Sequence, residues 1–327
     1  MGKINPEMFL ADLKQPEKTP NRDGYGKGLK KLGETNPNVV ALCCDLTEST
    51  RVEWFKQKFP ERFIEVGVAE QNMMSVAAGL AAEGKIPFVS SYAVFSPGRN
   101  WDQLRVSVCY SEANVKIQGA HAGISVGPDG ATHQALEDLA ITRCIPNLTV
   151  VVPCDAIEGE KATIESAEIK GPVYLRFGRE KIPTITTEKT PFKTGKAEIF
   201  RTGKDVTIIA CGIMVFEALK AAEELEKENI DAMVINNHTL KPIDEKTLIK
   251  AAKQTNAVVT AEEHQVIGGL GSAVAEVLSQ NYPVPIKFVG IKDRFGESGK
   301  PEELLEKFGC TSKDIVKAVK EVIEMKK

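Results

Sequence analysis

Apolar and polar positions divide the chain into short apolar runs separated by longer segments with helical spacing. Five runs of strand type come first: VVALCC at 39–44, IPFVSS at 86–91, NVKIQG at 114–119, LTVVVP at 148–153 and PVYLRF at 172–177. Between them, the segments that follow Glu70 and Asp155 repeat small and apolar residues every three to four positions, as helices do. Strands and helices that alternate in this way predict a parallel sheet covered by helices.

The pattern changes between 181 and 204, where Thr, Pro and Lys are frequent and no helical period is sustained. A second alternating series follows, and its last helix is predicted to begin at Thr311 and Ser312 and to run to the C-terminus. We therefore predict an α/β protein with one domain at 1–185, a linker at 186–204 and a smaller α/β domain at 205–327.

Composition narrows the class of protein. The chain has 327 residues, 42% of them hydrophobic, and a formal net charge of −3. This length suits two domains, and the charge argues against nucleic acid or a membrane as the main partner. No apolar run resembles a signal peptide or approaches the roughly 20 residues of a membrane span. We expect a soluble, cytoplasmic protein whose seven cysteines are core thiols, not zinc ligands or disulfides.

Two segments concentrate polar residues between apolar elements. In GVAEQNM (67–73), Glu70 directly precedes an apolar helix, so its carboxyl group should be partly removed from water. An acidic residue is also favoured in the first turn of any helix, and the segment alone leaves both interpretations open. The helix itself is predicted to be buried on most sides.

The other segment, HAGISVGPDGATHQALEDLA (121–140), contains two of the four histidines of the chain, His121 and His133. Either histidine alone would more often be structural than catalytic. Asp129 lies between them in a glycine-rich loop, however, and such loops bring side chains close to ligands at the ends of parallel strands. The combination favours a binding site.

Taken in order, GVAEQN, SYAVF, HAGISVGPDGATHQALEDLA, RCIPN, VVPCD and GPVYLRFGR resemble the pyrimidine-binding domain of transketolases. Further along, NNHTLKPID and AEEHQVIGGLGSAVAE are similar to landmarks of the family's C-terminal domain. The resemblance covers nearly all of the chain after the first 20 residues. It implies a parallel-sheet pyrimidine-binding domain followed by a smaller α/β domain, and thiamine diphosphate as the cofactor.

The resemblance assigns a cofactor role to four residues. Glu70 matches the glutamate that hydrogen-bonds the ring nitrogen of the aminopyrimidine, whose exocyclic nitrogen can then remove a proton from the thiazolium carbon. Tyr92 and Phe95 match aromatic residues beside the pyrimidine ring, and Asp45 matches an aspartate near the thiazolium. The aromatic residue that follows the Phe95 position in the family is not matched, and whether Trp101 replaces it is left open.

The same resemblance implies the residues that bind the sugar. His121 and His133 match residues that contact substrate hydroxyls, and they are predicted, together with Glu70, to be catalytic. Asp129 matches the residue that selects the hydroxyl stereochemistry of the ketose. The residues that match the phosphate-binding set are Arg22, Ser49 and Arg179.

One half of the family's site has no match in this sequence. Family members bind Mg²⁺ and the diphosphate with a GDG motif and a later Asn, and neither element is found here. The resemblance therefore predicts that the ligands of Mg²⁺ lie on an N-terminal transketolase subunit, in an assembly that is a heterotetramer when this partner is present. The purified chain could also form a homodimer. No metal ligand is predicted on this chain.

The function predicted from the resemblance is transfer of a two-carbon ketol unit between ketose and aldose phosphates. The alternatives are the β subunit of a 2-oxoacid dehydrogenase, half of a deoxyxylulose phosphate synthase, and a subunit that only scaffolds. The histidine pair and Asp129 favour a sugar substrate over an oxoacid, and His121 favours a transketolase over the synthase. A scaffold would not need Glu70 and its aromatic neighbours.

Overall fold

The computed structural model describes residues 2–326, which form two large sheets covered by helices and one small two-stranded sheet. The strands are β1 Lys18–Pro20, β2 Val39–Cys43, β3 Phe63–Glu65, β4 Ile86–Tyr92, β5 Lys116–Ala120, β6 Thr149–Val151, β7 Val173–Arg176, β8 Lys181–Pro183, β9 Glu198–Arg201, β10 Val206–Ala210, β11 Ala232–Asn236, β12 Thr239–Lys241, β13 Val258–Gln265 and β14 Ile286–Ile291. The α-helices are α1 Asn21–Thr35, α2 Glu53–Lys58, α3 Glu70–Ala82, α4 Trp101–Gln103, α5 Asp138–Arg143, α6 Ala156–Ser166, α7 Met214–Lys227, α8 Glu245–Thr255, α9 Leu270–Asn281, α10 Pro301–Lys307 and α11 Ser312–Glu324.

The first large sheet has the strand order β12-β6-β7-β5-β4-β2-β3. Its six strands from the first half of the chain are parallel, and five of them are the apolar runs predicted as strands. Sequence analysis did not predict β3, which is three residues long and only partly buried. The chain order reverses between β2 and β4, so a crevice opens beyond their carboxyl ends, where ligands of α/β proteins commonly bind.

The second large sheet has the order β14-β13-β10-β11-β9, with only β9 antiparallel to its neighbour. The predicted alternation of strands and helices is confirmed here, and α11 begins as predicted, because Thr311 and Asp314 form a reciprocal capping box at its first turn. The α/β fold with a mainly parallel sheet is therefore confirmed.

Short segments from each half of the chain pair with strands of the other half. β12, from the second half, pairs antiparallel with β6 at the edge of the first sheet. β9 lies inside the predicted linker and forms an edge of the second sheet, and the backbone of Asn5 donates a 2.9 Å hydrogen bond to Phe200 in β9. The domain boundaries at 185 and 205 remain a prediction. In the structure, the segments on either side of these boundaries are in contact with each other.

Helix α1 carries Arg22 and contains four glycines, of which two face α6 closely. A Cβ atom added to Gly24 would overlap the carbonyl oxygen of Ala156, and one added to Gly28 would lie 2.9 Å from Cβ of Thr163. The glycines therefore allow the two helices to approach each other, although glycine by itself disfavours a helix. This contact fixes the position of the first turn of α1.

Six of the seven cysteines are buried and none forms a disulfide. The prediction of core thiols is wrong for Cys144, which is exposed. Among residues 2–326, no helix combines the length and the apolar character needed to cross a membrane.

Candidate active site

The predicted site residues follow the carboxyl ends of neighbouring parallel strands. Asp45 and Ser49 come after β2, Glu70 after β3, and Tyr92 is the last residue of β4. His121 directly follows β5, and Arg179 follows β7. Since these strand ends meet at one edge of the sheet, residues far apart in sequence are brought around the crevice between β2 and β4.

Glu70 is the first residue of α3, and only 2% of it is exposed. The Ser91 hydroxyl donates to one carboxylate oxygen at 3.2 Å, and Nη1 of Arg99 contacts both oxygens, at 3.1 and 3.3 Å. The carboxylate borders a cleft of about 480 Å³, here called the Glu70 cleft, whose lining residues are Val68, Ala69, Glu70, Gln71, Asn72 and Arg99. A buried carboxylate therefore lines an open cleft, and its charged partner Arg99 has a side chain that is 49% exposed.

Two aromatic residues, Tyr92 and Phe95, pack against the histidines that were predicted to bind the sugar. The Tyr92 ring stacks on His121 with centroids 3.9 Å apart and lies nearly parallel to Phe95, whose centroid is 6.1 Å away. His133 meets the edges of both aromatic rings, at 6.1 and 5.4 Å. The guanidinium of Arg99 covers the Phe95 ring at 4.0 Å. The predicted aromatic and histidine residues therefore form one continuous wall.

A pocket of about 150 Å³ lies beyond this wall and is here called the arginine pocket. Its lining residues are Arg22, Glu48, Ser49, Arg51, Tyr92, His121, Asp129 and Arg179. Nη1 of Arg22 donates to the Ser49 carbonyl oxygen at 2.7 Å, so in this state Ser49 contributes its backbone to the contact. Nη1 of Arg179 bridges the Val126 carbonyl oxygen at 2.9 Å and the Asp129 carboxylate at 3.1 Å. Converging guanidinium groups of this kind suit an anion.

His121 is neutral in this arrangement. Burial, followed by the nearby charges of Arg22 and Arg179, lowers the pKa of His121 to about 2. Nη1 of Arg22 donates to Nε2 at 3.1 Å, which leaves the proton on Nδ1, and Nδ1 is buried without a partner among the described residues. Nδ1 is therefore a buried hydrogen-bond donor without a partner among the described residues, on a histidine that lines the arginine pocket.

The loop that carries Asp129 and His133 is held from behind by the second half of the chain. The Glu263 carboxylate in β13 accepts from the Ser125 amide at 2.5 Å, and it occupies the place that a side chain at Gly123 would need. Gly123 also has a φ of 92°, which favours glycine. Gln134 donates to the Glu297 carbonyl oxygen at 3.0 Å. The second half of the chain therefore fixes the loop that faces the crevice.

Asp45 and Trp101 lie outside both groups of lining residues and outside the aromatic wall. Asp45 is exposed, and its backbone amide donates to Glu65 at 2.8 Å. Trp101 donates its indole N–H to the Ile141 carbonyl oxygen at 3.1 Å. Neither residue lines the Glu70 cleft or the arginine pocket. The role that the resemblance implies for Asp45 remains a prediction, and the resemblance left the role of Trp101 open.

The expectation that α3 is buried on most sides is wrong for the chain alone. Met73, Met74 and Ala77 are buried, whereas Gln71, Asn72, Ser75, Gly79 and Ala82 are exposed. Nearby Val68 and Tyr110 are 68% and 83% exposed. An apolar helix pattern does not distinguish burial within the chain from a face left open beside the site.

Sequence analysis missed three charged residues at the site: Arg51, Glu48 and Arg99. Arg51 and Glu48 lie in the connection from β2 to α2 that also contains Ser49, and Arg99 follows Phe95 by four residues. Their closeness in sequence to predicted site residues could have identified them, but the resemblance gave these positions no role.

The pyrimidine-binding domain of transketolase matches residues 17–184, and the transketolase C-terminal domain matches residues 195–315. The chain belongs to the transketolase family. Among relatives of this family, the 6-deoxy-6-sulfo-D-fructose transketolase subunit SqwH of Clostridium sp. (strain MSTE9) is 48% identical over 93% of this chain and 95% of its own length. A putative transketolase C-terminal section of Methanocaldococcus jannaschii is 47% identical over 94% of this chain and 96% of its own length.

Longer transketolases match along only part of their length. The Homo sapiens transketolase is 37% identical over 97% of this chain, which spans 52% of the human protein. Among solved structures, a split-gene transketolase described as an inactive β4 tetramer is similar with a TM-score of 0.89 and 51% identity, covering 94% of this chain and 99% of that one. The chain is thus comparable in extent to transketolases that are divided into sections.

Proposed function

We propose that this chain is the C-terminal subunit of a two-chain transketolase that moves a two-carbon ketol unit from a ketose phosphate to an aldose phosphate. One observation carries the proposal: the buried carboxyl group of Glu70 and the arginine pocket lie on the same sheet edge and are linked through Arg99 and the aromatic wall. Arg99 pairs with Glu70 and covers Phe95, and Tyr92, which lies beside Phe95, lines the arginine pocket. A group activated at Glu70 and a sugar anchored by its far end could meet along this wall.

The Glu70 cleft fits the aminopyrimidine of thiamine diphosphate, the cofactor of the transketolase family. A flat heterocycle needs an apolar wall and a hydrogen-bonding group at its edge. Buried Glu70 lines the cleft, and Phe95, which lies under the Arg99 guanidinium at the cleft, would provide the apolar wall once Arg99 moves away. When bound, the cofactor supplies a nucleophilic carbon that can carry the ketol unit. Glu70 would hold a proton between its carboxyl oxygen and the ring nitrogen, while Tyr92 and Phe95 would exclude water from that contact.

Arg99 occupies part of this cleft in the chain alone. Its guanidinium pairs with Glu70 and covers Phe95, the two groups that the pyrimidine would contact. The side chain of Arg99 is half exposed, so its guanidinium can be rehydrated in solvent, whereas buried Glu70 needs a new partner when Arg99 leaves. Binding at Glu70 would therefore exchange an ion pair for a hydrogen bond to the ring nitrogen.

The sugar would extend from the aromatic wall into the arginine pocket. His121 would donate from Nδ1 to a hydroxyl oxygen, and His133 is held at the same wall by a 2.8 Å contact between its Nδ1 and the Thr132 hydroxyl. Asp129 would accept from a sugar hydroxyl, and its pairing with Arg179 orients the carboxylate. Arg22 and Arg179 would bind the terminal anionic group of the sugar.

Phosphate and sulfonate share the geometry and negative charge that this pocket would recognise. A sulfonated ketose enters the proposal because the SqwH relative is named for 6-deoxy-6-sulfo-D-fructose. Comparing kcat/KM for xylulose 5-phosphate and 6-deoxy-6-sulfofructose as donors shows whether the enzyme prefers a phosphate or a sulfonate group on the sugar. A higher kcat/KM for the phosphorylated donor is expected for the reaction proposed here.

The diphosphate half of the cofactor would come from a separate N-terminal transketolase subunit that supplies the ligands of Mg²⁺. A split-gene relative was inactive as a β4 tetramer, which supports a requirement for a second kind of chain. The exposed residues beside Glu70, among them Val68, Gln71 and Asn72, border the cleft that such a subunit would complete. A heterotetramer with two-fold symmetry is the proposed assembly, and a cytoplasmic location is part of the same proposal.

Product analysis tests the reaction type against its alternatives. The chain is mixed with the N-terminal subunit, thiamine diphosphate, Mg²⁺, xylulose 5-phosphate and ribose 5-phosphate, and the sugars are separated by chromatography. A ketose phosphate two carbons longer than ribose 5-phosphate is expected. Turnover of pyruvate in place of the ketose would instead indicate a 2-oxoacid dehydrogenase or, with glyceraldehyde 3-phosphate as the acceptor, a deoxyxylulose phosphate synthase.

Substituting Asp129 should change the choice of donor more than the binding of cofactor. Loss of a hydrogen bond to a charged group costs roughly 1.5 to 3 kcal/mol, so Asp129→Asn should lower kcat/KM about tenfold or more for donors that present the matching hydroxyl. The kcat/KM values of ketose phosphates that differ only in hydroxyl stereochemistry are compared. Glu180→Gln is the matched control, because Glu180 also contacts Arg179, at 3.7 Å, but is not a pocket residue. An equal loss for all donors would count against a role in stereochemical selection.

A further inference from the structure

Arg51 places a third guanidinium group at the arginine pocket, beside Arg22 and Arg179. The acidic residues that line the same pocket are Glu48 and Asp129, and Asp129 is already paired with Arg179. Burial and the proximity of Arg51 lower the pKa of Arg22, which means that Arg22 and Arg51 repel each other. An anion placed between these two side chains would relieve the repulsion.

The backbone of Arg51 is held in an unusual conformation. Its φ is 67°, in the left-handed region that costs an arginine free energy. His121, which lines the same pocket, also has a left-handed backbone, with a φ of 53°. Backbone strain of this kind persists where the surrounding structure enforces it, and it concentrates at functional sites. Two strained residues at one small pocket indicate that the pocket itself is the constrained feature.

The contacts of Arg51 orient its guanidinium and leave one nitrogen available. Nε donates to Asp23 at 2.7 Å, and Nη1 donates to the Glu48 carbonyl oxygen at 3.1 Å. Nη2 makes no hydrogen bond within residues 2–326. Since Asp23 lies in the first turn of α1 next to Arg22, one short segment positions both arginines. The guanidinium is thus preorganised and keeps donors for a ligand oxygen.

We propose that Arg51 is a binding residue that reads the terminal anionic group of the sugar substrate, with Asp23 as its positioning partner. This inference rests on the proposed ketol transfer and adds a specificity determinant to it. The substrate class is a sugar that bears a phosphate or sulfonate at the end remote from its carbonyl group. Arg51 contributes to the recognition of that charge and not to the chemistry at Glu70.

The first test measures selectivity in the reconstituted enzyme. Arg51→Asn suits the left-handed backbone, and it should lower about tenfold the ratio of kcat/KM for xylulose 5-phosphate to that for unphosphorylated erythrulose. Asp23→Asn removes the negative charge of the positioning partner but keeps an oxygen that can accept from Arg51 Nε, and it keeps the guanidinium itself, so its ratio should fall less than that of Arg51→Asn. The inference is overturned if Arg51→Asn lowers both donors equally, or if Asp23→Asn lowers the ratio as much as Arg51→Asn does.

The second test needs no catalysis and uses the chain alone, because the whole arginine pocket lies on it. Ribose 5-phosphate and ribose are titrated into the wild-type chain, Arg51→Asn and Arg51→Gly, and binding is followed by NMR. The dissociation constant of ribose 5-phosphate should rise about tenfold in both variants, whereas that of ribose should not change. An unchanged constant for ribose 5-phosphate overturns the role of Arg51 even if the reconstituted enzyme is active. Selective binding without any ketol transfer by the reconstituted wild type would instead overturn the proposed reaction.

Discussion

Glu70→Gln is expected to lower ketol transfer by the reconstituted enzyme about a hundred- to ten-thousand-fold, the usual contribution of an acid–base group. Glutamine keeps the volume of the side chain and can still accept from Ser91, which donates to the carboxylate at 3.2 Å. It cannot transfer a proton to and from the ring nitrogen of the cofactor as a carboxyl group can. The initial rate with xylulose 5-phosphate and ribose 5-phosphate is the measurement.

Glu83→Gln is the matched control for this prediction. Glu83 caps the other end of α3 and is exposed, so the same change of chemistry occurs on the same helix far from the cleft. The control should retain the wild-type rate, and both variants should keep the wild-type circular dichroism spectrum. A Glu70→Gln enzyme with a near-normal rate would rule out the role proposed for Glu70.

The second large effect concerns the chain alone, which should show no measurable ketol transfer with cofactor and Mg²⁺ present. The groups around Glu70 are suited to a flat ring, whereas a diphosphate with its metal needs oxygen ligands and positive charge to replace water. The proposal assigns those ligands to the N-terminal subunit. Adding that subunit should restore ketol transfer and strengthen cofactor binding together.

Activity measured against subunit ratio checks this prediction. The rate should rise with added N-terminal subunit and level off at one partner per chain, and the N-terminal subunit alone should be inactive. As a control, the Glu70→Gln chain should assemble with the partner without restoring the rate. Full activity of the isolated wild-type chain would contradict a divided site.

The sequence predicted five of the seven strands of the first sheet because these five are mostly buried and lie in apolar runs. Val39–Cys43 and Lys116–Ala120 are buried at every position, as expected for central parallel strands. The glycine-rich loop was also recognised as a site because its two histidines and Asp129 have no structural explanation as a group. These features depend on local composition, which a sequence displays directly.

Features that depend on contacts between distant segments were not predictable. Helix α1 contains glycines at positions 24, 26, 28 and 33, and its stability comes from close packing on α6. β12 follows β11 in sequence but joins the other sheet, which no hydrophobic pattern specifies. The packing of α1 matters for the site, since α1 carries Arg22 and Asp23.

The chemistry of the site was only partly visible for a similar reason. An arginine in a sequence is usually a solvated charge, and nothing in the pattern distinguishes Arg51 or Arg99 from the others. Their importance comes from their positions in the fold. Arg99 pairs with Glu70, 29 residues earlier in the sequence, and Arg51 pairs with Asp23, the residue after Arg22 in α1. Only the folded chain brings these charges together.

A crystal structure of this chain with the N-terminal subunit, thiamine diphosphate and Mg²⁺ tests the central claim most directly. The account predicts that the Glu70 carboxyl group lies within hydrogen-bond distance of the pyrimidine ring nitrogen, with Arg99 displaced from it. All protein ligands of Mg²⁺ should come from the partner. A cofactor held entirely by one kind of chain, or a pyrimidine bound away from Glu70, would contradict the account.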